Sequence, residues 1–327
     1  MRNRRMKVGM QIHYGTENIH ILRPVVTIGS FDGVHKGHVQ VIESLKKVAG
    51  RLQGETVIIS FEPHPREVLY PQEEAPGILT SLEEKAEILD ALGVEHLVIL
   101  PFTRSLADLE YDEFVRHILV DCLGITGLII GYDHRFGKNR EGTFERLKEL
   151  SARYRFYLEQ EEVYEEHQIN ISSTKIRNAL QIGDIARANE FLGYSYTLSG
   201  KVTEGDKIGR TLGFPTANIQ LKDIRKQLPA SGVYAVKVRV GEETYGGMLN
   251  IGVRPTVSSS GIARIEVHIF GFHQDIYGGE LHIALVARLR GERRFNDTQG
   301  LQQQLIRDRR AVLACLHLPF PTDENGG

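Results

Sequence analysis

The hydrophobic residues in the first half of the chain form short continuous runs that alternate with apolar positions at helical spacing. The run at 25–28 predicts a buried strand that ends at Gly29. After it, apolar side chains recur every three or four residues, at Val39, Ile42, Leu45 and Ala49. Three more strands are predicted at 57–61, 96–100 and 128–130, and one more helix is predicted at 81–92. Strands in alternation with helices indicate a parallel α/β sheet, and ligands of such sheets bind beyond the carboxyl ends of the strands. We therefore expect a site at the loop that begins with Gly29.

The second half of the chain changes to a period of two. Apolar residues occupy every second position of three segments, 234–240, 265–269 and 283–289. This alternation predicts an antiparallel sheet or small barrel, and a polar helix follows at 298–316. The predicted fold class is α/β, with an N-terminal parallel-sheet domain at 1–192 and a C-terminal small antiparallel β-barrel domain with a terminal helix at 193–327.

Composition narrows the possible classes of protein. The chain has 327 residues with 40 Lys+Arg against 42 Asp+Glu, so the whole protein is not a polyanion-binding module. The two cysteines, Cys122 and Cys315, exclude a disulfide framework and a Cys-rich zinc site. No apolar run approaches the roughly 18–20 residues of a membrane span, and the basic N-terminal stretch lacks the apolar core of a signal peptide. We expect a cytoplasmic protein.

The first candidate chemistry is the segment GSFDGVHKGH at 29–38. Its glycines allow the backbone to approach a ligand, and a helix that begins here directs its N–H groups towards anions. His35 and His38 share a face and suit a phosphoryl group that gains charge during displacement. The spacing alone does not decide between this interpretation and two others, in which the histidines bind a metal ion or are ordinary polar residues.

Three further segments, together with the segment at 29–38, resemble the motifs of one known family. SFEPHP at 60–65, GYDHRFG at 131–137 and ISSTKIR at 171–177 follow in order. Together they resemble the FAD synthetase branch of the HxGH nucleotidyltransferase superfamily, which implies a Rossmann-like domain. The resemblance implies that His35 and His38 contact ATP phosphates and stabilise the transition state. It places Gly29, Ser30, Phe31, Gly37, Ser173, Thr174 and Arg177 at the nucleotide, and Pro63, Asp133 and Phe136 on the flavin or nucleotide side. His134 is either a ligand contact or a surface residue.

The second candidate chemistry lies in the glycine-rich start of the other half. GDKIGRT at 205–211 is not a phosphate-binding P-loop, because its glycines are too close together and Arg210 stands where lysine is needed. GFPTAN at 213–218 instead resembles the signature of riboflavin kinase, and the similarity extends to Phe295. Thr216 and Asn218 lie two apart on an extended segment and can hold Mg²⁺. Glu266 is either a solvated strand charge or, as the resemblance implies, a general base for the ribityl hydroxyl.

The same resemblance implies the remaining kinase residues. It places ATP at Gly205, Gly209, Arg210, Gly213, Pro215, Thr216 and Asn218, and flavin beside Arg290 and Phe295. Arg210 is equally compatible with a phosphate contact and with a surface charge.

The full set resembles the bacterial bifunctional riboflavin kinase/FAD synthetase family. It implies that riboflavin and ATP give FMN, and that FMN and ATP then give FAD and pyrophosphate. The implied ligands are riboflavin, FMN, FAD and ATP with Mg²⁺, without nucleic acid or membrane, in a monomer or weak homo-oligomer. The alternatives are a protein that keeps one activity, a flavin-binding regulator without turnover, and a tRNA-charging enzyme that shares HxGH. The acidic first half disfavours the last of these.

Overall fold

The chain folds into two compact units, Met1–Ser173 and Thr174–Gly327. The computed structural model describes residues 9–72, 75–132, 142–161, 165–166, 169–204, 208–253 and 263–319. One unit contains a parallel sheet and the other a closed antiparallel barrel, which confirms the predicted fold class.

A six-stranded parallel sheet forms the centre of the first unit. Its strands are β1 (Gln11–Tyr14), β2 (Val25–Ile28), β3 (Thr56–Glu62), β4 (His96–Pro101), β5 (Gly127–Ile130) and β6 (Tyr157–Gln160), in the order β1-β4-β3-β2-β5-β6. All neighbouring strands are parallel. A short antiparallel pair follows, β7 (Glu165–Glu166) with β8 (Ile169–Asn170). Because β2 is central, the loop after it opens at the middle of the sheet edge.

Helices cover both faces of this sheet. They are α1 (Lys36–Leu52), α2 (Pro65–Leu69), α3 (Leu82–Ala91), α4 (Arg104–Ala107), α5 (Tyr111–Phe114), a π-helical segment (Val115–Cys122) and α6 (Phe144–Tyr154). Val25 packs with Leu45 of α1 and Leu89 of α3, whereas Val26 packs on the other face with Leu119 and Leu147. Successive strand residues point to opposite faces, so the continuous apolar run 25–28 fills two cores.

The second unit is built on a closed barrel. Its strands are β9 (Thr197–Thr203), β10 (Ala217–Leu221), β11 (Gly232–Val240), β12 (Glu243–Val253), β13 (Ala263–Ile269) and β14 (Glu280–Arg290), in the order β10-β13-β12-β11-β14-β9. The helices α9 (Ile208–Thr211) and α10 (Thr298–Cys315) complete it, together with α7 and α8 described next. Val312 of α10 is fully buried against Val233, Ala235 and Met248 of the barrel.

Helices α7 (Ser173–Ile182) and α8 (Ile185–Leu192) pack with the barrel. Ala230 N donates to Leu180 O at 2.9 Å, and Asn189 Nδ2 donates to Leu285 O at 2.9 Å. The boundary between the two compact units therefore lies at Ser173, where α7 begins. The sequence analysis instead predicted that both helices belong to the first domain. The boundary after residue 192, as a division between catalytic functions, stays a prediction.

Candidate active sites

The loop after β2 has a strained backbone that its neighbours hold in place. Phe31 and Val34 have φ angles of +47° and +35°, a region that residues with side chains rarely occupy. The buried carboxylate of Asp32 accepts hydrogen bonds from Leu79 N at 2.8 Å and Thr80 N at 3.1 Å. This anchoring offsets the local strain, as is typical of loops that hold a ligand.

His35 and His38 form a stacked pair at the start of α1. His35 is the N-cap, and its Nδ1 accepts a hydrogen bond from His38 N at 3.4 Å. The two rings stack with centroids 3.7 Å apart. A Cβ at Gly37 would lie 3.2 Å from His35 Nδ1, so glycine gives the room that this packing needs.

His38 has a buried, unpartnered nitrogen. Its Nδ1 is buried and makes no hydrogen bond among the described residues. Burial, followed by the neighbouring charges of His35 and Lys85, holds the pKa of His38 well below its ordinary value. A neutral imidazole beside a helix N-terminus offers hydrogen bonds to a phosphate without the cost of a buried charge.

Lys85 is a residue of this site that the sequence analysis did not identify. It is buried on α3, and its Nζ donates to Ser30 O at 2.7 Å and Ser60 Oγ at 3.1 Å. A signal for it exists in the sequence. Lys85 falls on the same face as Leu82 and Leu89, at positions i, i+3 and i+7, where an apolar residue is expected.

The structure locates most other residues of the predicted adenylyltransferase site. Gly29 N donates to Ile59 O at 3.0 Å, and the ring of Phe31 lies 4.8 Å from that of His38. Pro63 directly follows β3, and Ser173 Oγ donates to Asp32 O at 2.9 Å. Thr174 and Arg177 lie on α7 in the second compact unit. Asp133, His134 and Phe136 lie outside the described residues.

A cavity of about 320 Å³ opens beside the barrel. Four predicted residues from separate segments line it, namely Thr216, Glu266, Arg290 and Phe295. Gly209 lines it too, and Thr216 and Pro215 also line a second cavity of about 220 Å³. Asn218 and Gly213 line neither cavity in the described part of the chain. Gly205 and the side chain of Arg210 lie outside what the structure describes.

The polar face of β13 supplies the charged wall of the larger cavity. Ile265, Val267 and Ile269 are buried in the barrel, so Arg264, Glu266 and His268 point the other way. The Glu266 carboxylate accepts a hydrogen bond from Arg264 Nη2 at 2.7 Å, and its side chain is 18% exposed. This ion pair fixes the position of the carboxylate in the cavity wall.

The segment that carries Thr216 is fixed on both sides. His268 Nδ1 donates to Pro215 O at 2.8 Å. A Cβ at Gly209 would lie within 2.2 Å of Phe214 O, so only glycine allows α9 to pack this closely. Asn218 pairs in register with Glu266 of β13, which brings the amide and the carboxylate to neighbouring strands.

Arg290 is held in the cavity wall by a helix. Its Nη2 donates to Asp308 Oδ2 at 2.7 Å, and its Nε lies 3.1 and 3.0 Å from the two carboxylate oxygens. Asp308 of α10 is buried, with 5% of its side chain exposed. From the sequence, this segment was predicted only as a polar helix, and Asp308 was not identified.

Comparison with known proteins gives a family for each half of the chain. Residues 20–175 match the family model of FAD synthetase, and residues 192–316 match that of riboflavin kinase. A bifunctional riboflavin kinase/FMN adenylyltransferase of Pseudomonas fluorescens is 39% identical over 90% of this chain and 96% of its own length. The corresponding protein of Listeria monocytogenes is 40% identical over 88% of this chain and 90% of its own length.

A solved structure shares the whole architecture. A Streptococcus pneumoniae protein described as a macrolide-efflux protein superimposes with a TM-score of 0.85 and 30% identity, over 93% of this chain and 99% of that one. Among the described residues, no helix is long and apolar enough to cross a membrane. With both family models matched in order and relatives near 40% identity along most of its length, the chain belongs to the bifunctional riboflavin kinase/FMN adenylyltransferase family.

Proposed function

We propose that the two activities of this chain, riboflavin kinase and FMN adenylyltransferase, take place at the cavity beside Glu266 and at the His35–His38 loop respectively. The observation that carries the kinase assignment is that three distant parts of the sequence, with Thr216, with Glu266, and with Arg290 and Phe295, line one cavity. The buried, unpartnered Nδ1 of His38 supports the second site. Thr174 and Arg177 are proposed to hold the triphosphate, and Pro63, Asp133 and Phe136 to face the flavin side.

In the kinase step, the terminal hydroxyl of the ribityl chain attacks the γ-phosphorus of ATP and ADP leaves. Glu266 accepts the hydroxyl proton, and the hydrogen bond from Arg264 Nη2 holds its carboxylate in the cavity wall. Arg290, held by Asp308, and Phe295 line the same cavity and border the flavin. Gly205, Gly209, Arg210, Gly213 and Pro215 are proposed to contact ATP.

The residues near Glu266 fit a hard metal ion such as Mg²⁺. The side chains of Thr216 and Asn218 bear oxygens, and neither makes a hydrogen bond within the described residues. Oxygen donors of this kind suit Mg²⁺. When bound there with ATP, the ion would neutralise phosphate charge. The protein's own part is to place the hydroxyl near Glu266 and to hold the extended segment through the bond between His268 and Pro215.

In the adenylyl transfer, an oxygen of the FMN phosphate attacks the α-phosphorus of ATP. A P–O bond to that phosphorus forms, the bond to the β-phosphate bridge breaks, and pyrophosphate leaves as FAD is made. His35 and His38 lie at the N-terminus of α1, where N–H groups stabilise charge that develops on the phosphoryl oxygens. Gly29, Ser30, Phe31, Gly37 and Ser173 are proposed to form the rest of the nucleotide cradle.

The ligands and the cellular setting follow from the same chemistry. We expect riboflavin, FMN, FAD and ATP as the ligands, and no nucleic acid, because the chain is near charge balance at −2. We further propose a cytoplasmic monomer or weak homo-oligomer.

The test is a time course of the pure protein with riboflavin, ATP and Mg²⁺, with the flavins separated by chromatography. We expect FMN to appear first and then to convert to FAD. His38→Ala should accumulate FMN without FAD, and full FAD output from it would contradict the loop assignment. Bound riboflavin without any conversion would instead favour a flavin-binding regulator.

A further inference from the structure

Lys85 places an amine directly behind the phosphate-binding loop. The residue is 7% exposed, and its Nζ lies 2.7 Å from Ser30 O and 3.1 Å from Ser60 Oγ. Removing a lysine head group from water is costly, and an apolar residue of similar length would pack between Leu82 and Leu89 without that cost. The presence of a lysine at this position therefore calls for a role other than filling the core.

Two donors converge on the Ser30 carbonyl. Besides Lys85, Ser60 Oγ donates to the same oxygen at 3.2 Å, and Ser60 is fully buried. Ser30 directly precedes Phe31, whose φ is +47°. The two hydrogen bonds thus fix the peptide unit at the start of the strained turn, where the backbone would otherwise relax.

Fixing this carbonyl also fixes an N–H group. In a trans peptide the C=O and the following N–H point in opposite directions, so the Phe31 N–H points away from Lys85. Phe31 is buried, and its N–H makes no hydrogen bond among the described residues. A buried donor without a protein acceptor is suited to an oxygen of a bound phosphate.

We propose that Lys85 is a positioning residue for adenylyl transfer, which orients the Ser30–Phe31 peptide so that its N–H binds a phosphate oxygen in the transition state. The proposal rests on the adenylyltransferase site proposed above. It assigns Lys85 no contact with the substrate, because its amine bonds to the protein on the far side of that peptide.

The test compares Lys85→Met with Lys46→Met, a lysine on α1 that pairs with Glu43 at the surface. Using FMN and ATP as substrates, we expect Lys85→Met to lower kcat for FAD formation about 10- to 100-fold, as misplaced transition-state donors do, with the KM for FMN unchanged. Lys46→Met should leave both constants unchanged. Riboflavin kinase activity of the same molecule, which belongs to the other compact unit, should be unchanged and reports that the protein is folded.

A second readout separates positioning from a general loss of structure. Among the described residues, the titratable groups that act on the pKa of His38 are His35 at the start of its own helix and Lys85 on α3. Removal of the Lys85 charge should raise the pKa of His38, measured by NMR of the labelled imidazole. Equal kcat values for Lys85→Met and Lys46→Met would overturn the proposal.

If Lys85→Met does not fold, Ser60→Ala decides the question. It removes the hydrogen bond from Ser60 Oγ to Ser30 O and an acceptor of Lys85 Nζ, and it changes no charge. We expect kcat for FAD formation to fall about 3- to 10-fold, since the Ser30 carbonyl loses one donor and the other, Lys85, is held less firmly, with the KM for FMN again unchanged. An unaltered kcat would overturn the proposal. Failure of the wild-type protein to form FAD would instead refute the proposed function and is seen separately in the same assay.

Discussion

His38 shows how its surroundings set the chemistry of one residue. Its Nδ1 is buried without a partner, its ring stacks on His35, and the Lys85 ammonium lies nearby. Each of these features disfavours the imidazolium form. The residue is therefore suited to donate or accept a hydrogen bond at a phosphate, and unsuited to act as a permanent cation.

This environment makes a prediction about stability and pH. The folded pKa of His38 lies below its ordinary value of 6.5, so below pH 6.5 the unfolded chain binds a proton that the folded chain does not. The free energy of unfolding should therefore decrease as the pH falls from 6.5 towards the folded pKa. We expect His38→Gln to lose less stability than the wild type between pH 7.5 and 5.5, measured by urea unfolding. An equal loss in both proteins would show that His38 is not held neutral.

Glu266 gives a prediction at the kinase cavity. Glu266→Gln keeps the shape of the side chain but cannot accept the hydroxyl proton, so FMN formation should fall about 10²- to 10⁴-fold. FAD formation from supplied FMN should not change. Glu242→Gln, on an exposed turn of the same barrel, is the matched control. A wild-type rate of FMN formation in Glu266→Gln would mean that this carboxylate is a charged strand residue without a role in proton transfer.

At the scale of elements, helix α10 supports the proposed kinase cavity from outside the barrel. Its buried Asp308 binds Arg290 through both carboxylate oxygens, and Gln304 of the same helix donates to Asp308 Oδ1 at 2.8 Å. The position of the guanidinium in the cavity wall therefore depends on how the helix docks. Loss of the carboxylate would leave a largely buried guanidinium unpaired.

We predict that Asp308→Ala lowers the free energy of unfolding by about 3–5 kcal/mol, which is the usual cost of removing one partner of a buried ion pair. It should also raise the KM for riboflavin. Denaturant unfolding and kinase assays with varied riboflavin measure the two effects. Arg310→Ala, an exposed residue of α10, is the control. If Asp308→Ala destabilises the protein but leaves that KM unchanged, Arg290 does not border the flavin.

The predictable elements were those whose periodicity is set by burial. The run at β2 was predicted correctly because both sides of that strand face a core, and the alternation of β13 because one side of it does. The edge strand β1 was not predicted, since Gln11 and Tyr14 are exposed and leave no periodic signal. Lys85 and Asp308 were missed because a charged residue on a helix usually lies in water, and their partners, Ser30 and Arg290, are far away in the sequence.

At the scale of the whole molecule, the boundary between the two compact units differs from the boundary between the two sets of predicted site residues. Helix α7 carries Thr174 and Arg177, which belong to the proposed adenylyltransferase site, yet it packs with the barrel of the second unit. Arg288 of β14 donates to Ile182 O at 3.1 Å and Ser231 O at 2.7 Å, and so ties the end of α7 to the barrel. A cut after residue 192 would therefore separate α7 and α8 from the strands that bury them.

The two activities share FMN, which leaves one site as product and enters the other as substrate. A mixture of His38→Ala, which keeps the kinase site, and Glu266→Gln, which keeps the adenylyltransferase site, should make FAD from riboflavin although neither variant does so alone. FMN must dissociate from one molecule and bind another, so we expect a lag in which free FMN accumulates. The FAD rate should then approach that of Glu266→Gln supplied with saturating FMN. If the mixture makes FMN but no FAD, while Glu266→Gln still converts added FMN, the FMN does not pass through solution and must be transferred within one chain.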